Sequence, residues 1–155
     1  MESIAGNEET NLIDSKAGVL QEMINWQNRI LTNVKLALGD EAKSVTSTQS
    51  NVKAKFPACS VQTVINNSTA DDLSADNDSE NAVYCGVQID IFVKTSLSDA
   101  YRLADIVNSA MYRMNFRRSN GFTEMINYTS PDILRVTGRF ERIIGSDDVI
   151  DRFED

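Results

Sequence analysis

Apolar residues recur along this chain with two different periods, and the switches between them mark out its elements. Over residues 15–38 they fall at Leu20, Met23 and Ile24, Ile30 and Leu31, Val34 and Leu38. That is the spacing of one α-helix face, with Gly39 placed to stop it and Asp14 or Ser15 able to cap its start. Trp26 lies off the stripe, on a flank shared with Ile30 and Ala37; a place at the rim of the core and a subunit contact are both open to it. Residues 58–65 then alternate, with Cys59, Val61, Thr63 and Ile65 on one face behind a Phe56-Pro57 opening. Residues 82–95 form the clearest strand. Val83, Cys85, Val87, Ile89, Ile91 and Val93 point one way, and Tyr84, Gln88, Asp90 and Lys94 the other. One core face and one wetter face is the pattern of an antiparallel sheet covered by helices on a single side.

The helical period returns over residues 97–118, with a stripe of Ala100, Leu103, Ala104, Val107, Ala110, Met111 and Met114. Ser96 followed by Asp99 resembles a capping box, and Arg113, Arg117 and Arg118 stand where cations suit a helix C-terminus. Asn120-Gly121 reads as a turn. A second strand pair follows over 122–129 and 133–144, around Ser130-Pro131-Asp132, with Phe122, Ile126, Tyr128, Leu134, Val136 and Phe140 as inward candidates. The predicted fold is α+β in the order helix-strand-strand-helix-strand-strand. A single domain spans 13–145, between a flexible arm at 1–12 and an acidic tail at 146–155. Residues 40–55 show no hydrophobic period and read as a connector, long for a compact domain.

Length changes little: 155 residues make one domain able to fold on its own core. Composition changes more, because the chain contains no histidine. Histidine-based triads, Cys/His pairs, His-ligated zinc and a histidine general base are therefore excluded within this chain. No GxGxxG, Walker A or GxSxG pattern is present, no cofactor is implied, and an enzyme is the least favoured class. A net charge of −8 argues against an extended nucleic-acid surface. No run is long and apolar enough for a membrane span, and the polar, acidic start is unlike a targeting peptide, so a cytoplasmic site of synthesis and residence is expected. Cys59 and Cys85 fall on the predicted strands about four residues out of register, roughly 13 Å apart, which predicts two buried free thiols.

Two charged groups remain. The segment 66–81, NNSTADDLSADNDSEN, interrupts the first strand pair and carries Asp71, Asp72, Asp76, Asp78 and Glu80. Its alternating acids resemble a calcium loop, but Asn81 stands where glycine is required and Val87 where the bidentate glutamate belongs. It reads as a projecting hairpin tip, with no metal assigned. On the closing strand Arg135, Thr137, Arg139 and Glu141 share the face opposite Leu134, Val136 and Phe140, with Arg142 beyond them. Such a basic face beside acidic loops is self-complementary between copies, and equally it is a solvated strand face.

Taken together, several features resemble the tail terminator (tail completion) proteins of long-tailed bacteriophages, with the lambda-type tail-terminator fold. They are the element order, the Phe56-Pro57 opening, the acidic break, the 83–93 strand, Ala100-x-x-x-Ala104-x-x-Val107 with Met111, and Arg135-Val136-x-Gly138-Arg139-Phe140. The resemblance spans about residues 15–144 and includes no catalytic motif. It implies a four-stranded, mostly antiparallel sheet with two helices on one face, and a homo-oligomer, a hexameric ring, that caps the tail tube protein, ends tube polymerisation and joins a neck connector protein. DNA would pass through as cargo without specific binding, no membrane would be involved, and the protein would reside in the virion after assembly in the host cytoplasm. On that analogy Asp71, Asp72, Asp76, Asp78 and Glu80 line the channel or an axial face, and Trp26, Arg135, Arg139, Glu141 and Arg142 are the subunit-interface candidates. The long connector and the N-terminal arm depart from the family pattern. Another neck or head-completion connector is the alternative within this class; outside it, the alternative is a small α+β ligand-binding or regulatory domain.

Overall fold

A computed structural model describes residues 26–47, 55–68, 82–126, 130–145 and 150. The expected arm, the first turns of the first helix, the five acids of the 66–81 segment, Tyr128 and all of the tail except Ile150 lie outside the described residues. Helix α1 (Gln27–Leu38) leads through a 3-10 turn (Gly39–Glu41) to β1 (Ser44–Thr46), β2 (Ala58–Ser68) and β3 (Ala82–Val93). Helix α2 (Leu97–Arg113), β4 (Arg117–Met125) and β5 (Leu134–Gly145) complete the order. The sheet is α+β in setting and mixed in direction, β1-β2-β3-β5-β4, with β1 parallel to β2 and every other pair antiparallel.

The expected four antiparallel strands are thus joined by a fifth, which comes from the supposed connector. Val45 pairs with Cys59 and Thr46 with Ser60, and Lys43 N–H donates to the Pro57 carbonyl at 2.8 Å. Residues 44–46 of the supposed connector are therefore strand, paired in parallel with 58–60. Three residues are too few for a period, so the strand was invisible in the sequence pattern.

Both helices cover the same face. Ile30, Val34 and Leu38 of α1, together with Leu103, Ala104, Val107 and Met111 of α2, meet Cys59 and Val61, the odd-numbered residues of β3, and Val136, Phe140 and Ile144 of β5. Ala100 and Ala104 have almost no exposed surface, and their small side chains let α2 lie close on the sheet. The polar Asn33 side chain is buried in this core, where it donates through Nδ2 to the carbonyl of Ile150 and to the Met114 sulfur.

Element ends follow local chemistry. Gly39, at φ +53°, closes α1 as expected of a residue free of a Cβ. Ser96 Oγ accepts from Asp99 N–H at 3.2 Å at the start of α2, while Thr95 Oγ1 donates to the Asp99 carboxylate at 2.6 Å. Helix α2 ends at Arg113 and does not reach Arg118. Asn115 adopts φ +65°, with Asn115 N–H on the Tyr112 carbonyl and Phe116 N–H on the Met111 carbonyl, both at 2.9 Å. This is a Schellman ending with asparagine in the glycine place, and it turns Phe116 wholly into the core. Arg117 and Arg118 consequently open β4, and the Asn120-Gly121 pair lies inside that strand where a turn was expected.

Two irregularities redirect side chains. Between Thr63 and Ile65 the β2–β3 register slips, so Ile65 leaves the face it would share with Val61 and lies over Gly86, against which a Cβ would approach it at 3.0 Å. In β4 the register shifts between Arg118 and Asn120 and again between Asn120 and Thr123. Phe122 reaches across to cover Gly138 and meets Phe140 with ring centres 5.9 Å apart, whereas Ile126, expected inside, is exposed. A Cβ on Gly138 would stand 3.0 Å from the Phe122 ring. We expect Gly138→Val to cost about 2 kcal/mol in urea unfolding, with less than that added on a Phe122→Ala background. Equal costs on the two backgrounds would show that the ring does not set the requirement.

Candidate functional site

The face of the sheet away from the helices carries a dense polar arrangement. Its centre is Asp90, which alternation assigned correctly to the outer side of β3 but which has no exposed surface. A carboxylate so placed must be satisfied by its neighbours. Arg135 approaches Oδ1 with Nε and Nη2, each at 2.8 Å, and Thr137 Oγ1 donates to the same oxygen. Gln88 Nε2 donates to Oδ2 at 3.2 Å, and Ser60 Oγ lies 3.5 Å from it. The network continues outward as Arg139 Nη2 donates to Gln88 Oε1 at 3.1 Å. Arg135 also lies over the Phe92 ring, 5.8 Å from its centre, and Phe92 packs with Ala58, Ile133 and Phe56 in a small apolar cluster.

Strand pairing makes this possible. Asp90 stands opposite Thr137 on β5 and Ser60 on β2, with Arg135 opposite Phe92 and Arg139 opposite Gln88. The even residues of β3 and the odd residues of β5 therefore share one face, and Arg135 and Arg139 flank Asp90 from either side. Glu141 sits on this face too, where it accepts a hydrogen bond from the Tyr84 hydroxyl. That bond is the first cause holding the Tyr84 phenol above its ordinary range.

Of the sequence-derived interface candidates, Arg135, Arg139 and Glu141 come together, and two do not join them. Arg142 projects to the helix side, donating through Nη1 to the Met114 carbonyl at 2.7 Å and lying over the Phe116 ring. There it caps the carbonyl end of α2. Trp26 opens α1, across the sheet from the arginines. It is half-buried under the Arg29 guanidinium, and its indole N–H is buried with no partner among the described residues. The acidic candidates, Asp71, Asp72, Asp76, Asp78 and Glu80, fall outside the described residues. Sequence reading missed Asp90, Gln88 and Thr137 as organisers. The available signal was the complementary spacing of Gln88 and Asp90 against Arg135, Thr137 and Arg139 once β3 and β5 are set side by side.

Beside the network, the bowing of β4 away from β5 leaves an open groove of about 480 Å³, lined by Gln88, Asn120, Thr123, Arg135, Thr137 and Arg139 among others. Gly121 borders it, with nothing within 4 Å of where a Cβ would stand. Among the described residues no cluster of Cys, Asp and Glu could hold a metal ion, and no helix is long and apolar enough to cross a membrane. Cys59 and Cys85 are buried and free. Cys59 pairs with Ile91, six positions from Cys85, a wider offset than the sequence suggested. Burial, then the charge of Asp90, pushes the Cys59 thiol far up, and burial pushes Cys85 from 9.0 to about 11. Neither thiol is a nucleophile near neutrality. No known family model matches the chain, and no curated protein matches it.

Replacing Asp90 by Ala leaves Arg135 without its carboxylate and should cost about 3 kcal/mol in urea unfolding, with Asp90→Asn costing less because it keeps an acceptor; equal, small losses would show the network to be dispensable. Native protein at about pH 8 should leave both thiols unmodified by Ellman's reagent, with reaction on unfolding. The folded state keeps thiol protons that the unfolded chain releases. The resulting stability is complete below about pH 9 and is lost as pH rises through the folded-state value, about 11 for Cys85. The decline above about pH 9 should accordingly be shallower in Cys85→Ala, and an unchanged slope would remove the assignment.

Proposed function

We propose that this chain is a tail terminator of a long-tailed bacteriophage: a ring-forming virion protein that caps the tail tube, ends its growth and joins the tail to the neck. The observation that carries the reading is the two-faced sheet. Both helices lie on one side, while the other side presents Arg135 and Arg139 in the network around Asp90 and Gln88, with Glu141 beside them on the Tyr84 hydroxyl and no reactive group among them. This suits a protein that works by contact, and it accords with the element order and the motifs on which the resemblance to that family rests. The compact packing of Ala100 and Ala104 against the sheet favours an assembly role over a ligand cavity between sheet and helices. In this reading the ring is a hexamer, the tube protein and a neck connector are its partners, and DNA passes without specific contact.

The test is to mix the purified full-length chain with polymerising tail-tube protein from the same phage. Tubes should stop growing and show a ring at one end in negative stain. An unchanged tube-length distribution with bare ends would rule the function out.

A further inference from the structure

We propose that the groove between β4 and β5 is a carboxylate socket, filled by an acidic side chain from a second copy of this chain; the proposal rests on the ring reading for the arrangement of copies. The groove exists because β4 carries extra residues. Its register slips on both sides of Asn120, so the strand bows from β5 and the space beside Gly121 is left empty. The same slips make β4 a poor template for backbone pairing with another strand, although among the described residues it is the outermost strand on its side of the sheet. Contact across this edge must therefore be made by side chains.

The charges in the groove do not balance. Asp90 is engaged by Arg135 at 2.8 Å, which fixes that guanidinium and uses the buried negative charge. Arg139 is only half-exposed, and among the described residues its side chain has one partner, the neutral Gln88 amide oxygen. Glu141, two residues along the same face, keeps its charge but accepts from the Tyr84 hydroxyl and does not line the groove. One guanidinium thus faces the groove in surplus, with the Thr123 side chain and the Asn120 amide across from it. A planar guanidinium flanked by neutral hydrogen-bonding groups matches a single carboxylate. A phosphate would bring more negative charge than the site offsets, and a nucleic acid would meet the field of a chain carrying −8. The same surplus names the partner: with 23 acidic residues against 15 basic, every copy supplies carboxylates and few places to receive them.

Sedimentation velocity on the full-length chain tests this, from micromolar to near-millimolar concentration and in low and moderate salt. Wild type should self-associate, and Arg139→Gln should weaken association by roughly tenfold while Arg139→Lys retains part of it. Added salt should weaken wild type more than Arg139→Gln. Thr123→Glu, at an exposed position, fills the socket from within and should weaken association as Arg139→Gln does. Circular dichroism should show all variants folded. Wild type that stays monomeric throughout, or Arg139→Gln and Thr123→Glu that associate like wild type, would overturn the socket. Outcomes for the two proposals separate cleanly. A chain that caps tubes with Arg139→Gln as well as wild type loses the socket and keeps the terminator function. A chain that associates through Arg139 yet leaves tubes uncapped does the reverse.

Discussion

A fully dehydrated carboxylate on the outer face of a sheet is tolerable only if several neighbours are aimed at it, and Asp90 imposes that condition on three strands at once. Ser60 from β2, Gln88 from β3 itself, and Arg135 and Thr137 from β5 all contribute. The antiparallel register supplies them: a one-residue slip of β5 would send Arg135 and Thr137 to the helix side and Val136 to the outer one. Buried ion pairs add little net stability relative to apolar replacements, but a pair left half-made is costly. The clasp therefore acts chiefly against misregistered pairings of β3 and β5, and the core on the opposite face inherits the register it selects.

The regular parts of the fold could be read from the chain because each has a period. The stripe of α1 from Gln27 onward, that of α2 as far as its end at Arg113, the alternation of β3 and β5, the glycine stop at Gly39 and the cap at Ser96 are local signals, and the structure places these as read. What escaped depends on single residues whose conformation answers to distant packing. Asn115 ends α2 because Phe116 is wanted in the core, and nothing in the preceding stripe announces it. Ile65 changes face because Gly86 leaves room for it, a fact about the neighbouring strand. Strand β1 is too short to show a pattern. The candidate site was half legible: the arginine face was visible along β5, whereas the burial of Asp90 and the helix-side position of Arg142 needed the strands set side by side.

The two faces of the sheet solve opposite problems. On the helix side, small residues and a continuous apolar surface leave no freedom, and Arg142 is absorbed into finishing α2. On the outer side, beyond the enclosed Asp90 and its Arg135, two charged groups are restrained by a neighbour but not enclosed: Arg139 by Gln88, Glu141 by Tyr84. Restraint of this kind lowers the entropy lost when such a side chain meets a partner, so a contact too weak to hold as a flexible surface pair gains from being pre-positioned. In a closed ring the same contact recurs at every subunit boundary, and closure makes the last contacts intramolecular. Copies that each carry −8 repel one another at long range, so the proposed ring would depend on short-range complementarity at fixed places. Under the proposed socket, Arg139, held at the rim of β4 beside a carboxylate that is already spent, would be such a place. An acidic chain built in this way would remain dispersed while its copies are apart and recognise its own kind once they are brought together.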